Sequence, residues 1–116
     1  MCFNASRHAN QSLCSLVREY PNFSLAGFWW HSFYPGIMWQ IIEERLDMIP
    51  VNRNCGFFTD AYCVDWVYGK TKLICDQYAE VFSEKIEDGR YSYGDVEKIA
   101  RSIFHDTPVE LLSMGE

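Results

Sequence analysis

Two short apolar runs constrain this chain more than any other feature. Residues 23–30 (FSLAGFWW) are nearly all apolar and lie between Pro21 and Pro35. Residues 54–59 (NCGFFT) carry Cys55, Gly56, Phe57 and Phe58 in a second run. Both are too short for a typical helix, and neither alternates polar with apolar, so each reads as a strand buried on both faces.

The segments around them have helical spacing. In residues 6–20, Leu13, Leu16, Val17 and Tyr20 fall at i, i+3, i+4 and i+7, with Ser6 as a possible cap and Pro21-Asn22 as the stop. Residues 36–48 place Met38, Ile41, Ile42 and Ile49 on one face and Glu43, Glu44 and Asp47 on the other, and Pro50 ends them. Residues 64–87 repeat the pattern through Val67, Ile74, Tyr78, Val81 and Phe82, and Asp88-Gly89 closes the helix with the expected glycine. Val96, Ile99, Ala100, Ile103 and Phe104 mark a further helix. Thr107-Pro108-Val109-Glu110 has the form of a capping box that opens a short last helix.

The order is therefore a strand stub, then α–β–α–β–α–α–α, an α/β pattern with parallel βαβ units. Residues 1–116 form one segment with no linker or repeat. Two or three parallel strands leave two open sheet edges under many helices. Such a chain is expected either to oligomerise or to belong to a larger α/β protein.

Composition narrows the function classes. At 48% hydrophobic and 16% aromatic residues, the chain is too rich in core formers to be disordered. Ten basic against sixteen acidic residues give a net charge of −6, which argues against nucleic acid as a partner. No apolar stretch is long enough for a transmembrane helix, and no signal-peptide pattern opens the chain, so no membrane association is expected. The cysteines at 2, 14, 55, 63 and 75 are odd in number and include no CxxC. They read as reduced, mostly small core thiols of a cytoplasmic protein.

The candidate chemistry lies at the ends of the two runs. Thr59-Asp60 follows the second strand at its C-terminal end, where parallel α/β folds gather their functional loops. Asp60 there is either a helix cap or a carboxylate that binds metal or moves a proton. Trp29-Trp30-His31 ends the other strand. One tryptophan can line a pocket while the other packs below, or both belong to the core. His31 is either a structural residue or a ligand or acid–base group, and His8 and His105 read as surface residues. No HxH, HExxH, GxSxG, P-loop or GxGxxG motif is present.

These residues resemble a family. Residues 16–30 (LVREYPNFSLAGFWW) are similar to a helix and Trp-Trp strand of uronate (glucuronate) isomerases, and residues 6–11 (SRHANQ) to the start of that helix. Phe58-Thr59-Asp60 resembles the family's Thr-Asp-Ser-Arg at the end of its eighth strand. The later helices follow in matching order, so the resemblance spans about residues 6–112. It implies the C-terminal portion of a (β/α)8 TIM barrel of the amidohydrolase superfamily, incomplete on its own because a barrel needs roughly 250 residues. It also implies interconversion of a sugar acid between aldose and ketose forms, such as D-glucuronate and D-fructuronate. Asp60 would bind metal and handle protons, with a divalent metal, zinc by preference, as cofactor. Trp29, Trp30 and Tyr62 would contact the sugar acid.

Tyr62 stands where the family carries an arginine, and tyrosine cannot make that residue's bidentate contact with a carboxylate. The HxH metal pair of the superfamily is absent from the chain. The isolated chain is therefore expected to be inactive and to need the rest of the barrel, or copies of itself, as partner. A metal-dependent hydrolase of the same superfamily is one alternative, with Asp60 activating a metal-bound water. A non-catalytic α/β oligomer is the other.

Overall fold

In a computed structural model, residues 2–3, 7–28 and 33–113 are described. Three strands of two residues each, β1 (Cys2–Phe3), β2 (Leu25–Ala26) and β3 (Asn54–Cys55), form a parallel sheet in the order β1-β2-β3. Leu25 pairs with Asn54 and Ala26 with Cys55. Helix α1 (Arg7–Glu19) joins β1 to β2, and α2 (Pro35–Met48) lies between β2 and β3. The long α3 (Val64–Glu87) follows β3, and α4 (Tyr93–Arg101) and α5 (Thr107–Leu112) complete the chain.

The barrel end implied by the resemblance is not what forms. The chain is a mostly helical domain around a minimal sheet. Its radius of gyration, 13.7 Å, is close to the ~13 Å expected of a closed domain of this length. Strands β2 and β3 each stop at a glycine. Gly27 has φ +62°, outside strand geometry, and an added Cβ there would sit 3.1 Å from Phe58 N. Gly56 N donates to Ile103 O at 3.1 Å, so the C-terminal helical segment occupies the outer side of β3. A sheet closed on that side by helix has no place for another strand.

The main core lies between α2 and α3. Phe28, Met38, Ile41, Ile42, Ile74, Tyr78, Val81, Phe82 and Ile103 are buried together. A second cluster joins Cys14, Val17, Leu25 and Ile49 under α1. The stripe expected on α1 is rotated: Asn10, Cys14 and Val17 are buried, while Leu16 and Tyr20 are exposed.

One polar group ties α1, α2 and β2 together. The Arg45 side chain is wholly buried. Its Nε donates to Asn10 Oδ1 (3.2 Å) and its Nη1 to the Gly27 carbonyl (3.0 Å), and its guanidinium lies 5.1 Å from the centre of the Phe28 ring. Asn10 Nδ2 donates in turn to Glu44 Oε2 at 2.6 Å. Asn10 thereby couples a cation to a carboxylate on the neighbouring residue of the same helix.

The capping box lies at a different helix from the expected one. Ser92 and Asp95 cap α4 reciprocally, and the hydrogen bonds from Ser92 hold the Asp95 carboxyl below its usual range. Thr107 does not cap α5. Residues 102–106 run into α5 as a π-helical stretch, and Thr107 Oγ1 donates to Val51 O at 3.4 Å. The expected solvent positions of His8 and His105 are observed, as is the burial of Cys14 and Cys55, but Cys63 and Cys75 are exposed.

Two stability outcomes follow. Replacing Asn10 by Ala removes the acceptor of a buried guanidinium donor, so chemical denaturation should show a loss of roughly 2–3 kcal/mol. Burial also pushes the Tyr78 hydroxyl up from 10 to about 12. This group's contribution is intact below pH 10, where folded and unfolded states are both protonated. Above pH 10 only the unfolded tyrosine ionises, so stability should fall by about 1.4 kcal/mol per pH unit up to pH ~12. Tyr78→Phe should remove that slope in urea melts measured between pH 9 and 12.

Candidate functional site

A cleft opens beyond the C-terminal end of the sheet, on the side where parallel folds bind ligands. It begins with how the chain leaves β3. After Phe57 and Phe58 the backbone turns at Asp60, which has a left-handed φ of +44°. Aspartate tolerates this conformation better than most residues because its short polar side chain can bond locally. The turn brings the Thr59 and Asp60 carbonyls toward α3. Lys70, in the second turn of α3, donates from Nζ to Thr59 O at 2.7 Å and to Asp60 O at 3.2 Å.

The same ammonium is bracketed by two aromatic faces. Lys70 Nζ is 4.9 Å from the Phe33 ring centre and 5.5 Å from that of Trp66. Each such contact is worth roughly 0.5–1 kcal/mol when exposed and more as water is excluded. Phe33, Tyr34, Asp65, Trp66, Gly69 and Lys70 line an open cleft of about 480 Å³. That volume lies within the usual range for small-molecule sites. The lining is aromatic and apolar apart from one cation and one carboxylate.

The residues singled out from sequence fall around this cleft or outside the described residues. Asp60 is exposed at the cleft's edge rather than in its wall, joined to it through Lys70. Neither Thr59 nor Asp60 caps α3, whose N-cap is Cys63. Of the two readings of that pair, the cap is excluded. Tyr62 is 81% exposed and stands edge-on to Trp66, with ring centres 6.0 Å apart. Trp29, Trp30 and His31 lie outside the described residues.

Lys70, Trp66 and Phe33 were not singled out from sequence. A signal for two of them exists in α3. The buried positions Ile74, Tyr78, Val81 and Lys85 continue upstream through Lys70 to Trp66 at helical spacing. That face packs on α2 in its later turns and opens into the cleft in its first two.

Other groups contribute less. Burial pushes the Cys14 and Cys55 thiols up, the opposite of an activated nucleophile. His105 pairs through Nδ1 with Asp106 at 2.8 Å, away from the cleft. Among the described residues no three His, Cys, Asp or Glu side chains come together to hold a metal. No family model and no curated protein matches the chain.

Gly69 is the glycine of the cleft wall, within α3, and a Cβ there would meet nothing within 4 Å. Gly69→Ala should therefore stabilise α3 by about 0.5–1 kcal/mol without strain. Thermal unfolding of the two proteins side by side measures it.

Proposed function

We propose that this chain acts on a sugar acid as part of an aldose–ketose isomerase of the uronate isomerase kind, D-glucuronate to D-fructuronate being the representative reaction. The observation that carries the reading is the placement of Thr59-Asp60. These residues are not used as a helix cap; they are held at the mouth of an aromatic cleft by Lys70. The resemblance over residues 6–112 supplies the reaction class.

The reaction removes a proton from the carbon beside a carbonyl and returns one to its neighbour. An exposed carboxylate at the cleft edge, Asp60, is suited to carry that proton. Aromatic walls suit the apolar C–H face of a sugar, and Tyr62 offers a hydroxyl from the rim. The divalent metal implied by the resemblance, zinc by preference, does not fit this chain on its own. Asp60 is a single donor, and metal ions of this kind take several.

A metal-dependent hydrolase is the second reading, favoured by Tyr62 in the place of the family's arginine. The free cysteines Cys14, Cys55, Cys63 and Cys75 suit a reducing cytoplasm. Among the described residues no helix is long and apolar enough to cross a membrane.

The test is turnover. Full-length protein loaded with divalent metal should convert D-glucuronate to D-fructuronate, followed by ¹³C NMR. Asp60→Asn should lower kcat by roughly 100-fold or more. Absence of conversion by the unmodified protein overturns the isomerase. Full activity in Asp60→Asn removes this carboxylate from the mechanism.

A further inference from the structure

We propose that the cleft between Phe33 and the first turns of α3 is the subsite for the carboxylate end of a sugar acid, with Lys70 as its anion-binding residue. The choice of ligand rests on the sugar-acid reading above; the site rests on its own geometry.

Lys70 is the one cation among the residues that line the cleft. Among the described residues no carboxylate lies within ion-pair distance of its Nζ; the partners are two backbone carbonyls and two ring faces. An ammonium has three N–H donors, and the carbonyls of Thr59 and Asp60 engage two. Among the described residues no further oxygen takes the third. A carboxylate is the ligand that gains most, because it adds a full opposite charge to the hydrogen bond where the carbonyls supply only dipoles. The two carbonyls and the aromatic rings also fix a side chain that would otherwise lose much rotamer freedom on binding.

The rest of the lining selects what carries that carboxylate. Trp66 and Phe33 present flat apolar surface, suited to the C–H face of a pyranose ring or an extended polyol. Asp65, on the same wall, accepts hydrogen bonds and so favours hydroxyl groups over a second anionic group. A uronate, the ligand that the sugar-acid reading supplies, meets these requirements with one carboxylate, hydroxyl groups and an apolar C–H face. The assignment also accounts for the lost arginine. Tyr62 cannot supply a cation, and Lys70, eight positions along the chain, brings one to the Trp66 ring that Tyr62 also touches.

The test is a titration of the ¹⁵N-labelled chain with D-glucuronate, and with D-glucose as the neutral counterpart. Glucuronate should shift the Trp66 indole and Gly69 amide signals and bind at least tenfold tighter than glucose. Lys70→Met should abolish that preference and Lys70→Arg should retain it. Gly69→Leu, which fills the cleft from a helical position with room for a side chain, should keep the fold and lose binding. Shifts that map elsewhere, or an affinity unmoved by both Lys70→Met and Gly69→Leu, overturn the subsite. The two proposals fail separately. Lys70-dependent binding without turnover by the full-length protein keeps the subsite and overturns the isomerase. Turnover whose KM is unmoved by Lys70→Met keeps the isomerase and overturns the subsite.

Discussion

The buried guanidinium of Arg45 is the constraint on which the rest of this small domain depends. Taking a cation out of water costs several kcal/mol even after relaxation. Among the described residues, groups from different places offset that cost: a side-chain oxygen on α1, a backbone carbonyl at the end of β2, and the ring of Phe28. None of these can shift alone. If α1 slides, Asn10 leaves; if β2 extends by a residue, the Gly27 carbonyl turns away. Apolar packing of Cys14, Val17 and Leu25 tolerates small displacements, whereas this hydrogen-bond geometry does not. Arg45 thus sets the register of α1 and β2 on α2.

That register has consequences further along the chain. Gly27 takes a left-handed φ where Arg45 meets its carbonyl, so β2 ends there. Its lack of a side chain lets Phe58 pass at close range. The chain beyond β3 is then free of the sheet and turns through Thr59 and Asp60 toward α3. The cleft exists because the strands stop early while α3 continues past them. Its first turns carry Trp66 and Lys70 beyond the region where α2 covers that face. An ion pair at the other end of the same helix, Lys85 Nζ to Asp47 Oδ1 at 2.6 Å, fixes α3 against α2 and so sets how far it projects.

Much of this was legible before the structure. The ends of α3, from Val64 to the glycine at 89, follow from an unbroken apolar stripe and a left-handed stop. Met38, Ile41, Ile42, Ile74, Tyr78, Val81 and Phe82 are core residues as their spacing indicates. Arg45 was not legible, because one charge on an otherwise apolar stripe looks like the solvent edge of a helix. Its burial depends on acceptors 18 and 35 positions away in sequence. Thr107 looked like a cap because its local pattern is right, but its hydroxyl bonds Val51, which no local rule can foresee. The strands are shorter than the apolar runs that contain them for a similar reason. An apolar run indicates burial, and residues such as Phe28 and Phe57 achieve it against helices rather than within a sheet.

The loss of the barrel does not carry the cleft away with it. A barrel places its chemistry at the C-terminal ends of strands because parallel strands end together and their following loops converge. That requirement is local. Two parallel strands in register, each followed by a helix, already bring the residues after Ala26 and after Cys55 to one edge. Phe33 and Lys70 meet there although they are 37 positions apart and the sheet between their elements is two residues long. The local geometry therefore supports reading Asp60 and its neighbours as a site on this helical domain. It also explains why the cleft is shallow and open. With helix in place of further strands beside β3, the described lining of the cleft is the face of α3 with Phe33 and Tyr34 opposite it.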